Sequence, residues 1–315
     1  MGLYRCDWRS RAVFRWSLGA MVRCLCSGLT RDGARCKITS DSKIKDKHGR
    51  LASLPLQLGG QFCLFHARVL HELALPDGRV DFALFYIDLE TDGLDVFRDN
   101  IVEIAALSAG GAPFSSLVVP PGGAPAAAPS TAVHGISDAE LQTGLPFAQC
   151  SALFVEFVEG LADSALVEDS DSSEELPMQL PVLRFPAPRV LLAAHNGRGF
   201  DFPMLLCNQM RRGGVVAHLG RFAFVDTLDV CRVMAGNSLT GGCLKLGCLF
   251  RSCSCASTGL RFHRALDDCI ALQAVVRHMA DGLGLGEVEL LSKYAFQLDL
   301  AQTCATAHLY SQVPF

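Results

Sequence analysis

No apolar run in this 315-residue chain approaches the roughly 18 residues a membrane-spanning helix needs, so no membrane partner is expected. The first twenty residues, MGLYRCDWRSRAVFRWSLGA, lack the apolar centre of a secretory signal. Gly2 has no Ser or Thr at the sixth position, so myristoylation is unsupported. The fourteen cysteines follow no small-domain disulfide spacing, and Cys207, Cys231 and Cys269 sit in apolar helical patterns. Free thiols in an intracellular, reducing compartment, nucleus or cytoplasm, are the expectation. Cys243, Cys248, Cys253 and Cys255 cluster without a zinc-pair spacing and read as core and loop thiols.

What remains is a composition, 50% hydrophobic and 19% charged, that suits a soluble globular protein of one large domain with a small appendage. The net charge of −4 hides an asymmetry. Residues 1–80 carry 14 Lys+Arg against 6 Asp+Glu, which leaves 14 against 26 for the rest. A basic front ahead of an acidic body hints at a polyanionic partner held by the front; a basic leader without that role is the plainer reading. Residues 1–20, with four arginines and one acid, read either as a weak organelle-transit leader or as sequence ahead of a true start at Met21.

Residues 21–68 form a small unit in which Cys26 and Cys36 flank a turn and Cys63 and His66 close as C-x-x-H. Three thiolates and an imidazole make a structural zinc set able to fold a segment too small for a core. The stretch resembles the short C-x-G-x-T-x-x-G-x-x-C … C-x-x-H modules appended to many nucleic-acid proteins. Cys24 is an alternative to Cys26. Lys43, Lys45, Lys47 and Arg50 lie between the halves as a basic loop, solvated or in contact with phosphates. Residues 67–75 read as a short linking helix.

The chain is organised around FALFYIDLETDGLDVFRDNIV, residues 82–102. Its six leading apolar residues read as a strand buried on both faces. Side chains two apart on a strand share a face, so Asp88 and Glu90 project together from its end. Two such acids repel unless a cation lies between them, and magnesium or manganese suits oxygen ligands. Two solvated acids at a strand end are the plainer reading of that pair alone. Residues 101–107 and 114–119 complete an antiparallel meander. Ser137-x-x-Glu140 is a capping box, and residues 147–161 form an amphipathic helix. Residues 162–188 are an acidic, Ser- and Pro-rich surface insertion. A buried strand at 190–194 then runs into HNGRGFD, where Asp201 precedes a helix and is by default a cap. Later, Asp268 shares a helical stripe with Leu272, Val275 and Met279 and faces inward, whereas Asp267 falls on the more exposed stripe.

The order D-x-E (Asp88, Glu90), H-N-x-x-x-F-D (ending at Asp201) and H-x-x-x-x-D (His263, Asp268) closely resembles the DEDDh family of 3′–5′ exonucleases over about residues 82–279. HNGRGFDFPML is particularly like its Trex-type version. The resemblance implies an RNase H-like α/β fold. Its mixed five-stranded sheet would have helices on both faces, spanning residues 80–282, with 283–315 as a C-terminal tail. It implies two Mg2+ (or Mn2+) held by Asp88, Glu90, Asp201 and Asp268, with His263 as general base. Leu89, Thr91, His134 and Asn196 would contact the substrate, the 3′ end of single-stranded DNA or RNA. The implied activity is release of nucleoside monophosphates. A catalytically silent nucleic-acid adaptor on the same scaffold is the alternative, disfavoured because the whole D-E-D-D-H set is present.

Overall fold

The computed structural model describes residues 43–45, 51–53, 70–75, 81–123, 128–167, 188–235, 243–253 and 259–311. The chain divides into two compact units, residues 1–68 with 314–315, and residues 69–313. In the first unit, β1 (Lys43–Lys45) pairs antiparallel with β2 (Leu51–Ser53), Lys43 opposite Ser53. Lys43 and Lys45, read from sequence as part of a basic loop, therefore lie on a paired strand. The proposed zinc ligands Cys26, Cys36, Cys63 and His66 lie outside the described residues, as does most of the 162–188 insertion.

The second unit is built on one seven-stranded sheet. In chain order its strands are β3 (Glu72–Ala74), β4 (Ala83–Thr91), β5 (Ile101–Ser108), β6 (Pro113–Leu117), β7 (Val190–Ala194), β8 (Phe222–Asp226) and β9 (Phe296–Leu298). In space they run β3-β9-β8-β7-β4-β5-β6. β4, β5 and β6 form the expected antiparallel meander, and β4, β7 and β8 run parallel. Short connections enforce the first arrangement, and helical crossovers the second.

Two strands extend this frame. β9 pairs antiparallel with both β8 and β3. Sequence reading placed a helix at 67–75 and a tail after 282, and the structure corrects both. Glu72–Ala74 is an edge strand, pinned where His71 N–H donates to Thr303 Oγ1 at 3.0 Å and Asp299 N–H donates to the His71 carbonyl at 2.8 Å. A three-residue strand has too little pattern to read, and its partner lies more than two hundred residues away. Arg198 reinforces the edge by a forked pair to Glu72 (2.9 and 3.0 Å) while its guanidinium covers the Phe296 ring at 4.3 Å.

The helices are α1 (Ala128–His134), α2 (Asp138–Leu141), α3 (Phe147–Val167), α4 (Asp201–Arg212), α5 (Thr227–Ala235), α6 (Leu246–Ser252), α7 (Ala265–Leu283), α8 (Glu287–Ser292) and α9 (Leu300–Ser311). The Ser137–Glu140 capping box forms at α2. β4 is buried on both faces, as its unbroken apolar run requires. Leu84 and Tyr86 pack with Leu272, Val275, Val276 and Met279 of α7 on one side. On the other, Phe85 meets Phe157 of α3 edge-on, with centroids 5.8 Å apart. Among the described residues no helix is long and apolar enough to cross a membrane.

Thiol usage departs from expectation at one place. Cys243 and Cys248, read as core or loop thiols, form a disulfide at the start of α6, with Cα atoms 6.1 Å apart. That span suits a bridge, and a five-residue separation gives no hint of it in sequence. Cys207, Cys231 and Cys269 are free and buried.

Candidate active site

The alternation of β4 puts Asp88 and Glu90 on the side that Tyr86 presents to α7. There they meet Asp268, the fourth residue of that helix. One oxygen from each of Asp88, Glu90 and Asp268 lies within 4.8 Å of the others, an arrangement able to hold a metal ion. Asp267, one residue earlier, turns away, and its Oδ2 accepts the Arg261 N–H at 2.9 Å. The 3.6-residue stripe that ends at Met279 decides which of the two acids enters the cluster.

Asp201 stands beside this trio. It is 4% exposed and is the first residue of α4; the Leu89 backbone N–H bonds its carboxylate. Its position comes from the preceding turn. Asp226, at the end of β8, accepts N–H bonds from Asn196 (2.9 Å), Arg198 (3.0 Å) and Leu228 (2.9 Å), and so fixes the 196–200 turn to the next strand. Asn196 sits at φ +69°, unusual for a residue with a side chain. A Cβ on Gly199 would come within 2.8 Å of Asn196 Oδ1, so a side chain there would displace the Asn196 amide.

The charges are heavily strained. Burial, then Asp201, Asp268, Glu90 and Glu103, push Asp88 well above the usual carboxylate range. Burial, then Asp268, Glu103 and Asp201, raise Glu90 to about 8. Asp201 is raised to about 7 and Asp268 to about 6, both chiefly by burial. Among these acids, Asp268 also carries an unpaired oxygen. Its Oδ2 accepts the His263 N–H at 3.0 Å, while the buried Oδ1 has no hydrogen-bond partner. Buried polar atoms are almost always satisfied, so an orphaned acid oxygen within an acidic trio is what a cation site looks like when only the protein is considered. The residues fit divalent metal.

His263 occupies the bend before α7, exposed, at φ +68°. The other positions proposed to touch substrate fall around the same end of β4. Leu89 is buried. Thr91 lies just past a register shift between Glu90 and Thr91 and donates from Oγ1 to the Gly93 carbonyl at 2.7 Å. His134 closes α1, 3% exposed, its Nδ1 accepting the Ile136 N–H at 3.0 Å. Burial lowers its pKa and favours the neutral ring. With Nδ1 accepting, that ring carries its proton on Nε2, a buried donor with no partner.

Sequence reading missed Glu103, Arg264 and Asp226. Glu103 lies directly opposite Glu90 on β5, 2% exposed, and pairs with Arg264. A single acid inside the run IVEIAAL was its signal.

No protein-family profile matches the chain, and no curated protein sequence matches it either. Solved structures do. Escherichia coli exonuclease I in complex with a dA16 oligonucleotide is 16% identical with a TM-score of 0.46, aligned over 64% of this chain and 41% of that one. A second exonuclease I structure gives 16% and 0.48 over the same shares. Exonuclease X in complex with 5′-overhanging duplex DNA gives 22% and 0.39, over 66% of this chain and 97% of that one. The match thus spans less than half of exonuclease I. At such identities and TM-scores these likenesses add no weight to a reading of activity, which stands on the residues of the site itself.

Proposed function

We propose that this chain is a metal-dependent 3′–5′ exonuclease that hydrolyses phosphodiester bonds at single-stranded DNA or RNA 3′ ends and releases nucleoside monophosphates. The observation that carries this reading is the convergence of Asp88, Glu90 and Asp268, with Asp268 Oδ1 unpaired and Asp201 alongside. Asp88, Glu90, Asp201 and Asp268 would together carry four negative charges when ionised, the charge of two Mg2+ or Mn2+, while Glu103 is paired with Arg264. Asp88, Glu90 and Asp268 would hold one cation, and Asp88 with Asp201 the other. Two such cations, when bound, stabilise the attacking and leaving oxygens of an in-line phosphoryl displacement.

The chain's own groups supply the rest. His263, exposed at the rim beside Asp268, takes the proton of the attacking water on a ring nitrogen, a task suited to imidazole. His134 Nε2–H, buried and unpartnered, offers a donor to a phosphate or sugar oxygen of the terminal nucleotide. The 3′–5′ polarity rests on the motif resemblance.

The test is release of mononucleotides from 3′-end-labelled and 5′-end-labelled DNA and RNA oligomers, with and without magnesium. Stepwise shortening from the 3′ end, only with metal, is the expected result. Strand binding without release would replace the enzyme by the adaptor reading. Cys26, Cys36, Cys63 and His66 are proposed to bind one structural Zn2+. The Cys36→Ser/Cys63→Ser protein should then lose about one equivalent of zinc per chain, and unchanged zinc content removes that site.

A further inference from the structure

We propose that Glu103 and Arg264 form a positioning pair that fixes helix α7, and with it Asp268 and His263, against the Asp88–Glu90 end of β4. This rests on the reading of the acidic trio as a metal centre.

The contrast between two buried acids points to it. Asp268 keeps one oxygen without a protein partner. Glu103 keeps none. Its Oε1 accepts from Arg264 Nη2 at 3.1 Å and from Ser115 Oγ at 3.3 Å; its Oε2 accepts from Arg264 Nε and from the Ala265 N–H, both at 3.2 Å. A carboxylate so occupied is committed to the protein and has little left for a cation. Glu103 therefore belongs to the frame that holds the ligands.

The bonds are placed where the frame needs them. Arg264 is the N-cap residue of α7 and gives that helix no side-chain cap. Glu103, from the neighbouring strand, supplies the missing acceptor by taking the first helical N–H, that of Ala265. Glu103 also sits opposite Glu90 in the β4–β5 register. One side chain thus ties the first turn of α7 to the strand pair that carries Asp88 and Glu90. The bend at 262–264 is held from both sides, His263 N–H by Asp268 and Arg264 by Glu103.

Electrostatics alone and positioning predict opposite signs. Removing the Arg264 charge near an acidic cluster should strengthen cation binding through the field. Loosening the helix that carries Asp268 should weaken it, and partners that orient metal ligands are typically worth about 10- to 100-fold in affinity.

The experiment measures Mn2+ affinity of the full chain by electron paramagnetic resonance, with no nucleic acid present. Arg264→Gln is expected to bind Mn2+ about tenfold more weakly than wild type. Arg264→Lys keeps the charge but loses the fork, and should fall between the two. Gln273→Ala is the control. It removes the bonds from Gln273 Nε2 to the Ser108 and Ala109 carbonyls, between the same helix and strand but away from the cluster. It should lower thermal stability and leave Mn2+ affinity unchanged.

Wild-type or tighter Mn2+ binding by Arg264→Gln and Arg264→Lys overturns the positioning role. So does equal weakening in Gln273→Ala, which would reduce the pair to general stability. Absence of Mn2+ binding by the wild type overturns the metal centre and this role with it. Normal Mn2+ binding without hydrolysis of any strand overturns the nuclease reading alone.

Discussion

Asp88→Ala is expected to abolish turnover, with a loss beyond the roughly 10²–10⁴-fold that acid–base catalysis contributes. The reason is position. Asp88 is the acid surrounded by all the others, with Asp201, Asp268, Glu90 and Glu103 each raising its pKa. It is also the only side chain proposed to hold both cations, so its loss dismantles the whole centre. His263→Ala is expected to remain within that 10²–10⁴-fold range, because His263 stands exposed outside the trio and its loss leaves the ligands in place. The bond from residue 263 to Asp268 uses the backbone N–H, which alanine retains. Raising pH should restore part of the His263→Ala rate, since hydroxide needs no protein base, and none of the Asp88→Ala rate. Rates from pH 6 to 9, with strand binding measured in parallel, check this. Near-wild-type turnover by His263→Ala throughout would remove the histidine from the mechanism while leaving the fold untouched.

What was legible in the sequence was what depends on local periodicity. The period of two on β4 put Asp88 and Glu90 on one face, and the helical period on α7 separated Asp268 from Asp267. The strands that became β4, β5, β6 and β7 were readable because each is a short, mostly apolar run bounded by turn residues. Contacts fixed by distant pairing were not. β3 exists because β9 is there to pair with it, and neither three-residue segment carries a pattern of its own. The stretch after residue 282 looked like a tail because its strand is three residues long; in the structure it widens the sheet. Glu103 was visible as an acid in an apolar strand, but its position opposite Glu90 follows from the loop between the strands. That loop is closed by Asp92 accepting the Asn100 N–H at 2.6 Å and its side-chain amide at 2.8 Å. That Asp226 gathers three N–H groups from two segments is a property of the β7–β8 pairing.

The metal-free protein is expected to lose stability as pH rises from about 5 to about 8, and magnesium should cancel that loss. Carboxylates normally titrate near 4 in an unfolded chain. In the folded chain Glu90 is raised to about 8, Asp201 to about 7 and Asp268 to about 6. Between the two sets of values the folded state holds protons that the unfolded state has released. Stability therefore falls with pH in that window. Below the unfolded values both states are protonated and the penalty disappears; above about 8 the share of Glu90, Asp201 and Asp268 is complete. A tenfold difference in proton affinity between the two states is worth roughly 1.4 kcal/mol, so the pH dependence is expected to be measurable. Cation binding acts in the opposite direction. It requires the ionised acids, releases their protons, and stabilises the folded state more strongly as pH rises. Melting curves in magnesium-free buffer and in millimolar magnesium should coincide near pH 5 and separate steadily toward pH 8. Glu90→Gln should flatten the magnesium-free slope, because it removes the acid raised to about 8 while keeping its shape. Curves that fail to separate at any pH would mean that these acids hold no magnesium, and a flat magnesium-free curve would mean that they do not strain the fold.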